Sequence, residues 1–265
     1  MQVSILASGS TGNTSLITTK DHKILMDAGL SGKKTKELLA EVGVDIKEID
    51  MVFLSHDHSD HSAGLGVLMR RYPQIDAFAN TGTWQYLLDT NKIGKVPVQQ
   101  MNTIEPGQTR TFGDLDVTAF ATSHDAAEPQ YYVFTSGGKS VAFLTDTGYV
   151  SEKVEKTIED ADAYMMEFNY DNMMLRDGPY SWPLKQRILS DVGHLSNDEA
   201  GQALVDVVTP KTKHIFLAHR SQHNNTEYLA HETAKEMLLE GDANIDEKLK
   251  IIDTSPSQPT ALTEI

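Results

Sequence analysis

The chain has 265 residues, of which 39% are hydrophobic and 23% are charged, and it contains no Cys. This length predicts one or two globular domains with a core large enough to need no disulfide. Without Cys, zinc ribbons, iron–sulfur clusters and thiol nucleophiles are excluded, so any metal is held by His, Asp and Glu. The net charge of −15 argues against a broad basic surface for nucleic acid.

The sequence carries no signal for export or membrane insertion. Its first ten residues, MQVSILASGS, lack a basic start, and their apolar run is too short for a signal peptide. No stretch approaches the roughly 20 apolar residues of a membrane span. With the absence of Cys, these features predict a soluble protein of the cytoplasm.

Apolar runs typical of strands alternate with helical patterns along the whole chain, and no Pro-, Ser- or Gly-rich linker divides it. The predicted strands are Val3–Ala7, Ser15–Thr18, Lys23–Met26, Met51–Leu54, Ile75–Ala79, Gln108–Phe112, Leu115–Ala121, Tyr131–Thr135, Ser140–Leu144, His214–Ala218 and Lys250–Asp253. The predicted helices are about Lys33–Val42, Leu65–Arg71, Thr83–Leu88, Asn197–Val208 and Thr226–Leu239. We therefore expect one α/β (α+β) domain over residues 1–265, with sheets packed on each other and helices outside.

Two segments of the sequence echo each other. Ile24–Gly29 and Phe143–Gly148 are each an apolar strand followed by Asp, a small residue and Gly. They are either two ordinary buried strands with turns, or two equivalent half-folds that present Asp27 and Asp146 at the same strand end.

The strongest functional signal is the stretch Ser55–His61, SHDHSDH, directly after a buried strand. His56 and His58 are two residues apart, so an extended backbone points both imidazoles to one side. Asp60 and His61 follow in a turn that aims them at a neighbouring point. Four N and O ligands exceed the need of one tetrahedral ion and predict two ions about 3.5–4 Å apart. The alternative is a polar surface loop, which three His beside a core strand disfavour.

This motif resembles that of the metallo-β-lactamase-fold hydrolases, whose remaining motifs follow in order over essentially the whole chain. The resemblance implies an αββα sandwich in which two mixed β-sheets pack face to face with helices outside. It also implies a ligand set: His56, His58 and His124 for the first ion, Asp60, His61 and His219 for the second, and Asp146 shared by both. We expect two divalent ions, Zn or Mn, that leave a positive surplus suited to an anionic substrate. Asp27 is expected to orient a His ligand, with a turn cap as the alternative.

Two further motifs resemble those of the tRNA 3′-processing nucleases. Glu167 ends an apolar strand, and His194 lies in the sequence Gly-His-Leu-Ser. We expect His194 to act as a general acid and Glu167 to orient it, with Asp60 as the third catalytic residue. The alternative is that His194 only precedes a helix cap and Glu167 is a surface charge.

The fuller resemblance is to the YycJ/WalJ (VicX) group of these proteins. It rests on Ala7–Thr14, Asp177–Ile188, Gly193–Asn197 and His219–Ser221, with Asn224 and Asn225 close behind. The chain departs from the group at two positions that are not ligands, Arg220 and Asp57. The resemblance implies a 5′-to-3′ DNA exonuclease that uses a metal-bridging hydroxide, is linked to mismatch repair, and has a genetic association with a cell-wall two-component system.

One segment combines cations and aromatic residues in an otherwise acidic chain. The candidate substrate-binding residues are Arg176, Tyr180, Trp182, Lys185 and Arg187, together with Asn224. Aromatic rings could stack on bases while the cations hold phosphates, although an ordinary amphipathic loop and helix is equally consistent. The early turn with Gly9, Gly12 and Asn13 is either an anion-binding nest or a strand connector.

Three functions compete at this point. The leading one is a phosphodiesterase acting on DNA. The alternatives are a small-molecule metallo-hydrolase for a cyclic phosphodiester, lactone or thioester, and a regulatory binding protein of the two-component system. The intact ligand set disfavours the last alternative. We expect the remaining histidines to be ordinary surface or helix-end residues: His22, His214, His223 and His231.

Overall fold

The structure is a computed structural model that describes residues 1–241, 243, 245, 246 and 248–265. Its strands are β1 Gln2–Ala7, β2 Thr14–Thr18, β3 Lys23–Met26, β4 Met51–Phe53, β5 Asp76–Ala79, β6 Met101–Thr103, β7 Thr109–Phe112, β8 Leu115–Ala121, β9 Gln130–Ser136, β10 Lys139–Leu144, β11 Ala163–Glu167, β12 His214–Ala218, β13 Lys250–Asp253 and β14 Thr263–Glu264. Its α-helices are α1 Gly32–Glu41, α2 Ser59–Ser62, α3 Leu65–Arg71, α4 Thr81–Asp89, α5 Glu152–Ile158, α6 Asn172–Asp177, α7 Trp182–Ile188, α8 Asn197–Val207 and α9 Glu227–Glu240.

The chain divides into two compact units. The first unit comprises Met1–Ala121, Ala126–Gly138 and Thr254–Glu264, and the second comprises Thr122–Asp125, Lys139–Asp253 and Ile265. One domain over residues 1–265 stays a prediction. In the ranges described above, no helix has the length and apolar character needed to cross a membrane.

The first unit contains a seven-stranded mixed sheet in the order β14-β1-β2-β3-β4-β5-β6. Pairing is antiparallel from β14 to β3 and parallel from β3 to β6. Strand β4 is buried along its whole length, as a short run of apolar residues without alternation predicts.

The same unit contains the antiparallel strands β7, β8 and β9, which pack on the seven-stranded sheet. The ring of Phe53 on β4 stacks on Phe78 with a centroid separation of 4.6 Å. It meets Tyr132 and Phe134 of β9 edge-on, at 5.3 and 5.4 Å. Face-to-face packing of two sheets, as predicted, therefore builds the core of this unit.

The second unit contains the parallel strands β10, β11, β12 and β13. Leu144 pairs with Met166, and Glu167 pairs with Ala218, so the carboxyl ends of the first three strands lie at one edge. Residues that follow these strands meet at that edge, as in other parallel sheets that carry active sites there.

Every predicted strand and helix has a counterpart in the structure, with bounds that differ by two residues at most. Strands Lys23–Met26, Leu115–Ala121, His214–Ala218 and Lys250–Asp253 have the predicted bounds, as does helix α3. The prediction of α8 rests on a capping box, and Ser196 and Glu199 form both of its hydrogen bonds. The elements α2, α5, α6, α7, β6 and β14 were not predicted from the sequence.

Candidate metal centre and acid site

Three residues at strand ends have a left-handed backbone. Asp27 follows β3, Asp146 follows β10 after one residue, and His219 follows β12, with φ of 62°, 48° and 53°. This conformation costs non-glycine residues about 1–3 kcal/mol and clusters at functional sites. Three of the positions predicted to bind or orient metal therefore have a strained backbone.

The two echoed segments are explained by close backbone approach. A Cβ on Gly29 would lie 1.6 Å from the carbonyl oxygen of Asp60, and one on Gly148 would lie 2.2 Å from the carbonyl carbon of Asp191. Each Asp-x-Gly turn therefore lets a second loop press against its strand end. At both strand ends the glycine therefore has the same packing role.

In the first unit, the SHDHSDH stretch brings its imidazoles together. His56 and His61 are fully buried, and His58 is half-buried. The ring of His56 lies 4.7 Å from that of His58 and 4.2 Å from that of His61, centroid to centroid. Asp60 and His61 lie in the short helix α2, where a turn was expected. Clustered imidazole and carboxylate donors of this kind fit a divalent metal ion.

Asp27 contacts one of the predicted ligands directly. Its Oδ2 lies 2.7 Å from Nδ1 of His61, and its Oδ1 accepts hydrogen bonds from the amide and hydroxyl of Ser55 at 2.8 and 2.9 Å. A carboxylate on Nδ1 fixes the tautomer in which Nε2 carries the lone pair for a metal. Burial raises the pKa of Asp27, although His61 and Ser55 partly oppose that shift.

Two residues that sequence reasoning missed also hold these ligands. The side-chain amide nitrogen of Asn13 lies 3.0 Å from Nε2 of His61 and 3.4 Å from Oδ2 of Asp60. The side-chain oxygen Oδ1 of Asn13 accepts a hydrogen bond from the backbone amide of Gly9 at 2.8 Å, and this bond fixes the orientation of the side chain. Ser55 Oγ lies 2.9 Å from Nδ1 of His56. Nothing in the local spacing signals the contacts of Asn13, because this residue is far from Asp60 and His61 in sequence.

In the second unit, donor atoms of Asp146, Glu167, His194 and His219 lie within 4.8 Å of one another. Oε1 of Glu167 lies 2.8 Å from Nδ1 of His194 and 3.0 Å from Nδ1 of His219. One carboxylate oxygen therefore binds Nδ1 of both rings and leaves Nε2 of each ring as the atom that faces away from Glu167.

The charge of Glu167 follows from its surroundings. Its other oxygen accepts hydrogen bonds from the amides of Leu195 and Thr147 at 3.1 and 3.3 Å. Burial alone would raise the pKa of Glu167, but the charge of His194 and the hydrogen bonds from His194 and His219 outweigh it and lower that pKa to about 2. Glu167 is therefore ionised at neutral pH.

His194 and His219 differ in exposure. His219 has 3% of its side chain exposed, whereas His194 has 13%. Asn169 donates to the carbonyl oxygen of His219 at 2.8 Å and fixes its backbone. The buried ring suits a metal ligand, and the ring that reaches solvent suits proton transfer to a substrate.

His124 is held by the loop that carries His194. Its Nδ1 lies 3.0 Å from the carbonyl oxygen of Gly193, a contact that orients a metal-binding imidazole in the same way as a carboxylate does. The neighbouring Asp125 forms a two-point ion pair with Arg187, and Ser123 Oγ donates to the carbonyl oxygen of Asp191 at 2.7 Å. This pairing assigns Arg187 a structural contact where a phosphate contact was expected.

Two more of the predicted substrate-binding residues already form hydrogen bonds within the fold. The buried Lys185 donates to the carbonyl oxygens of Arg176 and Gly178 at 2.7 and 2.8 Å. Asn224 is fully buried and donates to Ser221 Oγ at 3.2 Å. We therefore leave both out of the proposed substrate surface, because both side chains are buried and donate hydrogen bonds within the fold.

The other predicted substrate-binding residues are closer to solvent. Tyr180 is half-buried and meets His223 edge-on at 5.8 Å, whereas Arg176 and Trp182 are exposed.

Both departures from the group pattern are accommodated by polar contacts. Asp57 is buried and accepts a hydrogen bond from the amide of Ala127 at 2.8 Å, with Lys92 Nζ 3.7 Å from its carboxylate. Arg220 lies 3.2 Å from Asp253. Neither contact involves a predicted ligand.

The sequence matches the beta-lactamase superfamily domain over residues 22–219. It is 47% identical over 262 residues to Exodeoxyribonuclease WalJ of Streptococcus pneumoniae serotype 2, covering 99% of this chain and 97% of that protein. It is 44% identical over 262 residues to Exodeoxyribonuclease YycJ of Bacillus anthracis, covering 99% and 98%. Among solved structures, the metallo-beta-lactamase fold protein YhfI from Bacillus subtilis is similar in fold, with a TM-score of 0.73, 18% identity and 98% coverage of both chains.

Fold and motifs together define a metal-dependent hydrolase of the metallo-β-lactamase fold, with two mixed sheets and helices. The chain belongs to the beta-lactamase superfamily and, within it, to the family that contains WalJ and YycJ.

Proposed function

We propose that the chain is a cytoplasmic DNA exonuclease that binds two divalent ions, Zn or Mn. The proposed ligands are His56, His58, Asp60, His61, His124, Asp146 and His219. The observation that carries the proposal is the buried Glu167, whose single oxygen orients His194 and His219. Full-length similarity to two proteins named exodeoxyribonucleases supports DNA as the substrate. The 5′-to-3′ polarity and the link to mismatch repair rest on the family resemblance alone.

The donor chemistry of each unit fits divalent ions. His56, His58, Asp60 and His61 of the first unit, and Asp146 and His219 of the second, offer the nitrogen and oxygen donors that Zn and Mn accept. When bound, such ions lower the pKa of water and stabilise negative charge on a phosphoryl group.

His194 is the proposed general acid. Because Nδ1 faces Glu167, Nε2 is the atom that transfers a proton to the leaving oxygen of the phosphodiester. Glu167 stays ionised and stabilises the positive charge on the ring before the transfer. The hydrogen bond from His194 N to the carbonyl oxygen of Ile188, at 3.0 Å, fixes the backbone that carries the ring.

Asp60 is the proposed third catalytic residue. Its half-buried carboxylate lies beside His61 Nε2 at 3.5 Å, and Asn13 donates to it. We propose that Asp60 accepts a hydrogen bond from the attacking water, in addition to binding metal. Asp27 keeps the adjacent His61 in the orientation that this arrangement needs.

A cleavage assay on metal-loaded protein tests the function. Duplex DNA is labelled either at its 5′ end or internally, and we expect the 5′ label to be released first, as mononucleotide. Asp146→Ala should abolish release, while Asp89→Asn, an exposed change at the end of α4, should not. Hydrolysis of a lactone, thioester or cyclic phosphodiester without release from either DNA would overturn the proposal. So would binding without any hydrolysis.

A further inference from the structure

A cleft lies between α6 and α7, apart from the residues proposed to bind metal or transfer a proton. Its volume is 480 Å³, within the usual range for a site that accepts a small molecule or a single nucleotide. Its walls are Met173, Arg176, Trp182 and Leu189, and Lys185 lies at its base.

Large apolar side chains are concentrated in this cleft. Trp182 is 62% exposed, Met173 is 61% exposed and Leu189 is 50% exposed. The other tryptophan, Trp84, is 5% exposed, and its ring nitrogen donates to the carbonyl oxygen of Asn102 at 2.8 Å. A cluster of exposed apolar side chains indicates a binding surface, and a flat aromatic ring among them suits another flat ring.

The charge of the cleft suits an anionic ligand. Its lining residues include Arg176 and Lys185 and no carboxylate, in a chain of net charge −15. Lys185 is committed to two backbone carbonyls and holds the cleft in shape. Within the described residues, Arg176 makes no salt bridge, whereas Arg187 nearby is paired with Asp125. An exposed guanidinium beside an exposed indole fits a phosphate joined to a base.

The wall of the cleft is connected to the proposed acid. Leu189 follows Ile188, whose carbonyl oxygen accepts the hydrogen bond from His194 N. A Cβ on Gly193 would lie 2.1 Å from that same oxygen, so the end of α7 is packed tightly on the His194 loop. A ligand in the cleft therefore contacts the helix end that fixes His194.

We propose that this cleft binds one unpaired nucleotide at the end of the DNA substrate. The base stacks on Trp182, between Met173 and Leu189, and Arg176 pairs with its phosphate. This inference rests on the proposed nuclease function and adds to it a preference for an end with an unpaired base.

The test uses metal-loaded protein carrying His194→Ala, so that DNA is bound without rapid cleavage. The probes are two duplexes that differ at one overhanging 5′-terminal residue, which is either a normal nucleotide or an abasic one. Trp182→Ala should weaken binding of the normal duplex about 5- to 150-fold, the usual contribution of base stacking on an aromatic ring, and leave the abasic duplex unaffected. Trp182→Phe should retain most of the affinity. Tyr228→Ala, which removes a 71% exposed ring on α9, serves as the control.

Acrylamide quenching of tryptophan fluorescence gives a second readout. Because Trp84 is buried, the quenchable emission comes from Trp182, and the normal duplex should protect it more than the abasic duplex. Equal protection by both duplexes, or equal loss of affinity for both in Trp182→Ala, would overturn the inference. The inference can fail in this way while the proposed nuclease function stands, provided that the protein with His194 intact still releases mononucleotides from DNA. Failure of that protein to cleave either duplex would instead overturn the proposed function, and this inference with it.

Discussion

Nδ1 of His194 lies 2.8 Å from Oε1 of Glu167, a carboxylate with no exposed side-chain surface. A buried carboxylate is costly unless its oxygens are bound, and here two rings and two backbone amides bind them. The same carboxylate thus orients a candidate metal ligand, His219, and a candidate acid, His194. Since His194 is the more exposed ring, its loss should affect chemistry without affecting metal content.

His194→Ala is therefore expected to retain metal and to lose about 10²–10⁴-fold in kcat, the usual contribution of a general acid. The loss should shrink with a nitrophenyl phosphodiester, because that leaving group departs without a proton. Metal analysis and kinetics on both substrates check this, with His231→Ala as the control because its ring pairs with Asp253. Purification of His194→Ala without metal would show that His194 is a ligand.

Asp27→Asn is expected to lower metal affinity about 10–100-fold, the usual effect of removing the partner of a metal-binding His. Asn tolerates the left-handed φ of 62° at this position, so the change isolates the loss of charge beside His61. Metal titration of metal-free protein checks the affinity, and thermal unfolding in the absence of metal provides the control.

Asp27→Ala should behave differently in that control. Ala disfavours a positive φ, so this variant should also unfold at a lower temperature than Asp27→Asn. Wild-type metal affinity in both variants would contradict the orienting role of Asp27.

The strands and the clustering of the motif histidines could be predicted because their signals are local. Met51–Phe53 is short and wholly apolar, and His56 and His58 share one face of an extended segment whatever surrounds it. The order of the remaining motifs identified the fold through the family resemblance. The strand and the shared face of the two histidines can be predicted because each depends on residues that are close together in sequence.

The internal contacts of the substrate segment could not be predicted from the sequence, because they depend on packing. Lys185 and Arg187 are two residues apart and diverge by about 200° on a helix. Helix α7 turns Lys185 toward buried carbonyls and Arg187 toward Asp125, which is remote in sequence. The amide of Asn13 near His61 is equally non-local. Composition alone cannot distinguish such internal contacts from contacts with a ligand.

Asp162 should contribute to the pH dependence of stability in the second unit. Its side chain is 1% exposed and lies 2.8 Å from Lys139 Nζ and 3.3 Å from Lys211 Nζ. Burial would raise the pKa of Asp162, but these lysines and the hydrogen bond from Ser140 N lower it below its ordinary value of 3.8. A lowered pKa means that the ionised form stabilises the fold above about pH 4 and that this contribution is lost as pH falls further.

Asp162→Asn is accordingly expected to destabilise the protein by about 1–3 kcal/mol at neutral pH, because two lysines lose their charged partner. The free energy of unfolding of this variant should fall less steeply below pH 4 than that of the wild type. Urea unfolding at several pH values checks this, with Asp89→Asn as the exposed control. Parallel pH profiles for wild type and Asp162→Asn would contradict the assignment.

Variants of Arg187 and Arg176 should distinguish a structural contact from a phosphate contact within one segment. Each phosphate contact adds about 0.7–0.9 to the slope of log binding constant against log salt. Arg176→Gln should reduce that slope by about this amount, because its guanidinium is exposed in the cleft. Arg187→Gln should leave the slope unchanged and lower metal content, because its partner Asp125 adjoins the candidate ligand His124. DNA binding at four salt concentrations and metal analysis on both variants check the pair. An equal fall in slope for Arg187→Gln would show that Arg187 leaves Asp125 to bind phosphate.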